Sequence, residues 1–148
     1  MFTKYIAPAL VAVAFLSTAS AAETPDFTRL KKALAEFVAT LDAIQMQLPK
    51  IDNAPDTAKA FDSLSKATND TLDALAELMH KYPDLVKATE PPPEFASEMT
   101  TIENLKVKYA SLEAGMAALG RRYASDPEVA AAIARLNAAT TRKFSPSN

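Results

Sequence analysis

Apolar residues recur every three or four positions in four separate stretches of this 148-residue chain. That spacing places them on one face of an α-helix, because one turn contains about 3.6 residues. The pattern predicts helices over residues 26–48, 55–81, 94–123 and 127–142. The chain is long enough for one domain with one core.

A proline followed by an acidic residue stands at the start of each predicted helix. The four pairs are Pro25-Asp26, Pro55-Asp56, Pro93-Glu94 and Pro127-Glu128. Proline suits the first helical position because its missing N–H is not needed there, and an acidic residue interacts favourably with the positive end of the helix dipole. Thr24 and Asp126 are residue types that cap helices, so we expect them to cap the first and last helices.

The third predicted helix is the longest, and we expect the rest of the chain to be organised around it. Its apolar positions are Phe95, Met99, Ile102, Leu105, Tyr109, Leu112, Met116, Leu119 and Tyr123. A helix with so many apolar side chains needs neighbouring helices to cover them. Gly120 is a candidate C-cap, and Gly115 permits the close approach of a neighbour.

The first predicted helix has an unbroken heptad pattern. Its members are Phe27, Leu30, Leu34, Phe37, Leu41, Ile44 and Leu48. Such a seam is typical of helices that pack in a bundle, and short links make sequential helices antiparallel neighbours. The predicted fold is therefore all-α, an antiparallel up-down-up-down four-helix bundle spanning residues 23–148. A three-helix core with a loosely packed fourth helix is the alternative.

Residues 1–22 have the features of a secretory signal peptide. Lys4 is followed by an apolar run over residues 5–16, and small residues then offer cleavage after Ala21 or Ala22. The run is shorter than the roughly 20 residues that span a bilayer. We therefore expect a bacterial periplasmic or secreted protein that has no stable membrane insertion once the signal is removed.

Composition removes several classes of function. The chain has no cysteine, which excludes disulfides, cysteine zinc sites, a thiol nucleophile and a lipidated cysteine. Its 16 basic and 18 acidic residues give a net charge of −2, which is not the basic balance of a nucleic-acid-binding protein. We expect no nucleic-acid partner.

The unequal helix lengths suggest a binding groove. If the fourth helix folds back beside residues 107–123, the first half of the third helix has no such neighbour. The side chains at that end are Met79, Tyr82, Phe95, Met99 and Ile102. Methionine and aromatic side chains suit adaptable apolar recognition. This end is predicted to bind another protein or an apolar small molecule, unless the connection over residues 83–92 covers it.

Candidate chemistry is sparse. Glu77 and His80 have a spacing that places two metal ligands on one helix face, but a di-metal bundle needs two such pairs and the chain has one histidine. Met79, His80 and Met99 form a soft ligand set that suits Cu(I). No nucleophile turn or phosphate-binding loop is present. We therefore expect no catalytic residues, no enzyme activity and no resident cofactor.

The leading interpretation is an exported, non-catalytic helical bundle that binds a partner at the 79–102 end. One alternative is a periplasmic metal or cofactor handler that uses Met79, His80 and Met99. Another is a structural bundle that self-associates, for instance as a homodimer, through the seam of the first helix.

Overall fold

The computed structural model describes residues 25–83 and 95–142, which form four α-helices and contain no β-strand. They are α1 (Thr28–Gln47), α2 (Ala54–Lys81), α3 (Ala96–Arg122) and α4 (Pro127–Thr141). A short 3₁₀ turn, Leu48–Lys50, follows α1. The prediction of an all-α chain with four helices is confirmed, and the arrangement is consistent with a helical bundle.

Polar side chains cap two of the helices. The Oδ1 atom of Asp126 accepts the backbone N–H of Glu128 at 2.9 Å and that of Val129 at 3.2 Å at the start of α4. The side chain of Asn53 accepts the N–H of Asp56 at 2.8 Å at the start of α2. The prediction of Asp126 as an N-cap is confirmed. The cap of α2 follows the same rule, which favours asparagine and aspartate at this position.

The start of α1 differs from the sequence prediction. Its N-cap is Phe27, whose side chain makes no capping hydrogen bond, and one residue upstream the Oδ1 of Asp26 accepts the N–H of Thr28 at 2.9 Å. The helix therefore begins at Thr28, two residues later than predicted. Thr24 lies outside the described residues.

The core draws side chains from every helix. The heptad seam of α1 is buried inside the chain, with Leu41 fully inaccessible and only Leu48 partly accessible. The predicted stripe of α3 is also largely buried. Its buried members are Phe95, Ile102, Leu105, Tyr109, Leu112, Met116 and Leu119. Because the α1 seam is already covered, it is not a free surface for a second molecule.

The two glycines occupy different environments. Gly120 lies within α3, which continues to Arg122 and has Tyr123 as its C-cap, so the prediction of Gly120 as the C-cap is wrong. Gly115 lies directly against the side chain of Leu48, and a Cβ atom at this position would overlap it. The close helix approach expected at Gly115 is therefore present, and α1 with its following turn is the neighbour.

Helix α4 packs most closely against α2, and its approach to α3 is wider. The sequence patterns suggest that α4 lies beside residues 107–123 of the third helix. This is wrong for the main contact of α4, which is with α2. The buried faces of α2 and α4 carry many small side chains, including Ala58, Ser65, Ala132 and Ala139. Small side chains let helix axes approach, whereas the large side chains on the buried face of α3 keep α4 further away.

Helix α2 therefore has the central position that the sequence assigned to the third helix, because it packs closely against both α1 and α4. Helix α3 packs chiefly on α1. Two ion pairs join α1 and α3 in the same order along both helices: Lys31 with Glu98 at 3.4 Å, and Asp42 with Lys108 further along.

Two ion pairs also locate α4 along α2. Arg135 donates from Nε and Nη2 to the two carboxylate oxygens of Asp62 at 2.8 and 2.9 Å. Arg142, just after α4, donates to Asp73 at 2.5 Å. The fourth helix thus ends at the level of Asp73, whereas α2 continues for about two further turns to Lys81.

Candidate functional site

The end of the molecule beyond Asp73 is built from the start of α1, the last turns of α2 and the start of α3. We name it the three-helix end, because α4 does not extend to it. All five residues of the predicted groove belong to this end, but they occupy two different environments.

Phe95 and Ile102 are core residues. Phe95 has 0% of its surface exposed and Ile102 has 1%. The ring of Phe27 lies 5.1 Å from that of Phe95, at an angle of 37° between the ring planes. A tilted pair at this distance is a favourable aromatic contact. Phe95 and Ile102 therefore belong to the core beneath the predicted groove and have almost no exposed surface that a ligand could contact.

Met79, Tyr82 and Met99 are half-buried and pack against the core. The backbone N–H of Asp26 donates to the hydroxyl of Tyr82 at 3.3 Å. Because Phe27, the next residue, stacks on Phe95, residues 26 and 27 bring the end of α2 and the start of α3 together. Residues 84–94 lie outside the described part of the chain. That the 79–102 end is open to a partner therefore stays a prediction.

A polar pocket of about 70 Å³ opens beside Tyr82. Its other lining residues are Asp26, Arg29, Leu30, Ala74, Glu77, Leu78 and Lys81. Arg29 forms an ion pair with Glu77 across the pocket, and the ammonium of Lys81 lies 5.2 Å from the ring centre of Tyr82. The pocket therefore offers both signs of charge at the three-helix end, and Tyr82 is the one residue of the predicted groove that lines it.

Asp26 is held in its ionised form by local geometry. The Thr28 backbone N–H that donates to its carboxylate lowers the pKa of Asp26 below its ordinary value, with a smaller contribution from the positive charge of Lys81. A hydrogen bond to the charged form of an acid has this effect. The carboxylate is thus a stable acceptor at the edge of the pocket.

The sequence patterns do not predict this polar pocket. Asp26 and Arg29 open the first helix, and Glu77 and Lys81 close the second, so a hairpin of two helices brings them to one end. That signal was present in the chain. It has no distinguishing feature, because helix ends commonly carry charged residues and only Asp26 and Lys81 have the sign that complements the helix dipole.

The proposed soft-metal ligands have unequal exposure. His80 is exposed, whereas Met79, the preceding residue, is half-buried. Consecutive side chains on a helix diverge by about 100°. Within residues 25–83 and 95–142, no group of three histidine, aspartate or glutamate residues is placed to hold a metal ion. A Cu(I) site at Met79, His80 and Met99 stays a prediction.

An apolar cavity lies at the wide separation between α3 and the pair formed by α2 and α4. It is lined by Phe61, Leu64, Tyr109, Leu112, Glu113, Met116 and Leu136. With a volume of about 10 Å³, it holds no more than one water molecule. Burial, and to a smaller extent the negative charge of Glu113, raise the pKa of the Tyr109 hydroxyl. This cavity is a gap in packing and is too small for an organic ligand.

None of the helices in the described part of the chain is long and apolar enough to cross a membrane. The chain matches no protein-family model, no curated protein and no solved structure.

Proposed function

We propose that this protein is an exported, non-catalytic four-helix bundle with antiparallel sequential helices, and that it binds a partner at its three-helix end. The observation that carries the proposal is the length of α4. Within residues 25–83 and 95–142, its last ion pair with α2, between Arg142 and Asp73, leaves the final turns of α2 without a fourth helix beside them. The ion pair between Arg29 near the start of α1 and Glu77 near the end of α2 supports antiparallel packing of these two helices.

Export is part of this proposal and follows from residues 1–22. They have the positive charge, the apolar run and the small residues before Ala21 and Ala22 that signal peptidases recognise. These residues lie outside the described part of the chain. Protein recovered from the periplasm of an expressing bacterium should begin at residue 22 or 23. An intact Met1 on that protein would contradict export.

The partner is an apolar small molecule or a protein segment with an apolar side chain and polar flanks. Met79 and Met99 supply flexible apolar contacts, and the pocket beside Tyr82 supplies Arg29 and Glu77 for polar contacts. An apolar centre with a polar surround is the usual composition of a protein interface. Phe95 and Ile102 fix the backbone beneath this surface because they are fully buried.

The test uses 1-anilinonaphthalene-8-sulfonate, an apolar fluorescent anion, as the probe. We expect the protein to enhance its fluorescence and the Met99→Asp variant to reduce its affinity about tenfold, since a charge disfavours apolar binding. Met46→Asp is the matched control, because Met46 is 74% exposed near the opposite end of α1. Equal effects of the two substitutions would contradict a site at the three-helix end.

Native mass spectrometry of the exported protein tests for a natural partner. A co-purifying mass that Met99→Asp removes and Met46→Asp retains supports the proposal. A surplus mass that a copper chelator removes favours the alternative of a metal handler, and substitution of His80 by alanine should then abolish it. The two outcomes separate the binding of a partner from the handling of a metal.

A further inference from the structure

Helix α3 carries a second heptad pattern on its solvent-facing side. The pattern consists of Glu103, Val107, Ala110, Ala114, Ala117 and Arg121, spaced by four, three, four, three and four residues. Ala117 is half-buried and the other five are exposed. The buried stripe of the same helix points to the opposite side, as it includes Leu105, Leu112 and Leu119. We name the six residues the outer seam of α3.

The centre of the outer seam is apolar and uncovered. Val107 is 70% exposed, and it and Met46 are the two large apolar side chains exposed in the part of the chain that the structure describes. Three alanines follow Val107 along the seam, so no long side chain holds another helix away. A heptad spacing of apolar positions is the pattern by which one helix packs against another.

The two ends of the outer seam carry opposite charges. Glu103 precedes Val107, and Arg121 follows Ala117. Neither Glu103 nor Arg121 forms an ion pair within residues 25–83 and 95–142. The surface is therefore apolar in the middle, acidic at one end and basic at the other.

We propose that the outer seam binds the outer seam of a second copy of this chain, with the two α3 helices antiparallel. When the two α3 helices run antiparallel with their Leu112 residues at the same level, each position faces the position equally far on the other side of Leu112. The facing pairs are then Glu103 with Arg121, Val107 with Ala117, and Ala110 with Ala114. The seam is thus its own complement under two-fold symmetry. A two-fold dimer requires this property, since each patch must meet an identical patch.

Charge selects this orientation over a parallel one. In the antiparallel pair, each Glu103 faces an Arg121 of the other copy, which gives two ion pairs. In a parallel pair, Glu103 would face Glu103 and Arg121 would face Arg121, and like charges at an interface disfavour association. Beside the seam, the antiparallel arrangement brings Lys106 opposite Ala118, which carries no charge.

The outer seam is distinct from the surfaces considered above. The α1 seam lies in the core, so self-association through it would require the chain to open. The three-helix end involves the first turn of α3, whereas the outer seam begins at Glu103 and extends toward the opposite end. Met99 lies one turn before Glu103 on the same side of α3, so the interface of a dimer formed through the outer seam would end beside Met99.

Sedimentation equilibrium of the full chain at low salt tests the dimer. We expect concentration-dependent dimerisation below about 1 mM, the range of weak association. Glu103→Arg or Arg121→Glu should each raise the dissociation constant about tenfold, because two attractive pairs become repulsive. The double variant, Glu103→Arg with Arg121→Glu, should restore dimerisation. Lys59→Glu is the control, since Lys59 is exposed on α2 away from the seam.

Steric occlusion gives a second readout. Ala114→Arg places a long side chain at the centre of the seam and should abolish the dimer, while circular dichroism reports an unchanged helix content because Ala114 is exposed. A protein that stays monomeric to about 1 mM, or a dimer unaffected by both Ala114→Arg and the charge reversals, would overturn the proposal.

Cysteine cross-linking tests the antiparallel register, and the chain has no native cysteine to interfere. Ala110 of one copy lies opposite Ala114 of the other in the proposed dimer. An equimolar mixture of Ala110→Cys and Ala114→Cys proteins should therefore form the mixed disulfide faster than either protein forms its own. Preferential self-linking of each variant would indicate a parallel pair and overturn the arrangement.

Discussion

Gly115 on α3 lies directly against the side chain of Leu48, which follows the last residue of α1. A Cβ atom at Gly115 would overlap the Cδ2 atom of Leu48 and lie 3.2 Å from its Cγ atom. The absence of a side chain at this position therefore sets how closely the two helices approach.

We expect Gly115→Ala to destabilise the protein, although alanine is the better helix former by about 1 kcal/mol. The added methyl group overlaps Leu48 and forces it or the helices to move, and such overpacking costs about 1–3 kcal/mol. Urea denaturation should show a net loss of roughly 1 kcal/mol. Leu48→Ala in the same chain should remove part of that loss, so the two substitutions should not be additive.

Gly120→Ala is the matched control on the same helix. The nearest atoms to a Cβ there are the ends of two side chains, Ile133 Cδ1 at 3.3 Å and Phe61 Cζ at 3.4 Å. Small movements of these atoms accommodate a methyl group, and we expect a gain of about 0.5–1 kcal/mol from helix propensity. Equal effects of alanine at both positions would contradict the close contact between Gly115 and Leu48.

The cap of α4 is a second target. Asp126→Ala removes the acceptor for the N–H groups of Glu128 and Val129 and should lower the free energy of unfolding by about 1 kcal/mol. Asp126→Asn keeps an oxygen acceptor in place, so thermal unfolding should show a much smaller loss. If asparagine costs as much as alanine, the cap hydrogen bonds are not the source of the effect.

The burial of Phe95 predicts a structural role for it. Phe95→Ala removes a fully buried ring that contacts Phe27 and should cost about 3–5 kcal/mol. Val107→Ala, at an exposed position, should change stability by less than about 0.5 kcal/mol. A mild effect of Phe95→Ala on urea unfolding would instead favour a ligand-binding role for this ring.

Asp26 predicts a specific dependence of stability on pH. Its pKa in the folded chain is below the ordinary value of 3.8, chiefly because its carboxylate accepts the N–H of Thr28. A lowered folded-state pKa contributes stability above pH 3.8, and this contribution is lost as the pH falls through the folded-state pKa. Asp26→Asn retains an acceptor but does not titrate there.

The measurement is the fall in melting temperature between about pH 6 and about pH 3. We expect a smaller fall in Asp26→Asn than in the unaltered protein, and Asp52→Asn serves as a control at another exposed aspartate. The same fall in the unaltered protein and in Asp26→Asn would show that the contact with Thr28 does not stabilise α1.

The local rules of helix formation were readable from the sequence. Asp126 followed by Pro127 predicted the start of α4. The spacing of Leu105, Leu112 and Leu119 predicted the buried face of α3. Each of these signals depends on residues within one or two turns of each other. They predict helices and their faces without any knowledge of the neighbours.

The order of the helices in space depends on how side chains of different size meet, and this was harder to predict. The sequence placed the fourth helix beside the third, whereas the small residues Ala132 and Ala139 allow it to approach α2. The burial of Phe95 followed from a contact with Phe27, which lies far away in the chain. The polar pocket likewise depends on which helix ends meet, and each of its charged residues is unremarkable in the sequence.

The central position of α2 has a consequence for the order in which the helices unfold. Backbone amides exchange their hydrogens with solvent when the segment that contains them opens locally, and densely packed segments open least. Helix α2 is held closely by both α1 and α4, whereas α3 is held closely by α1 alone. The amides of α3 should exchange early and those of α2 last, so α2 would be the final element to lose structure as the chain unfolds.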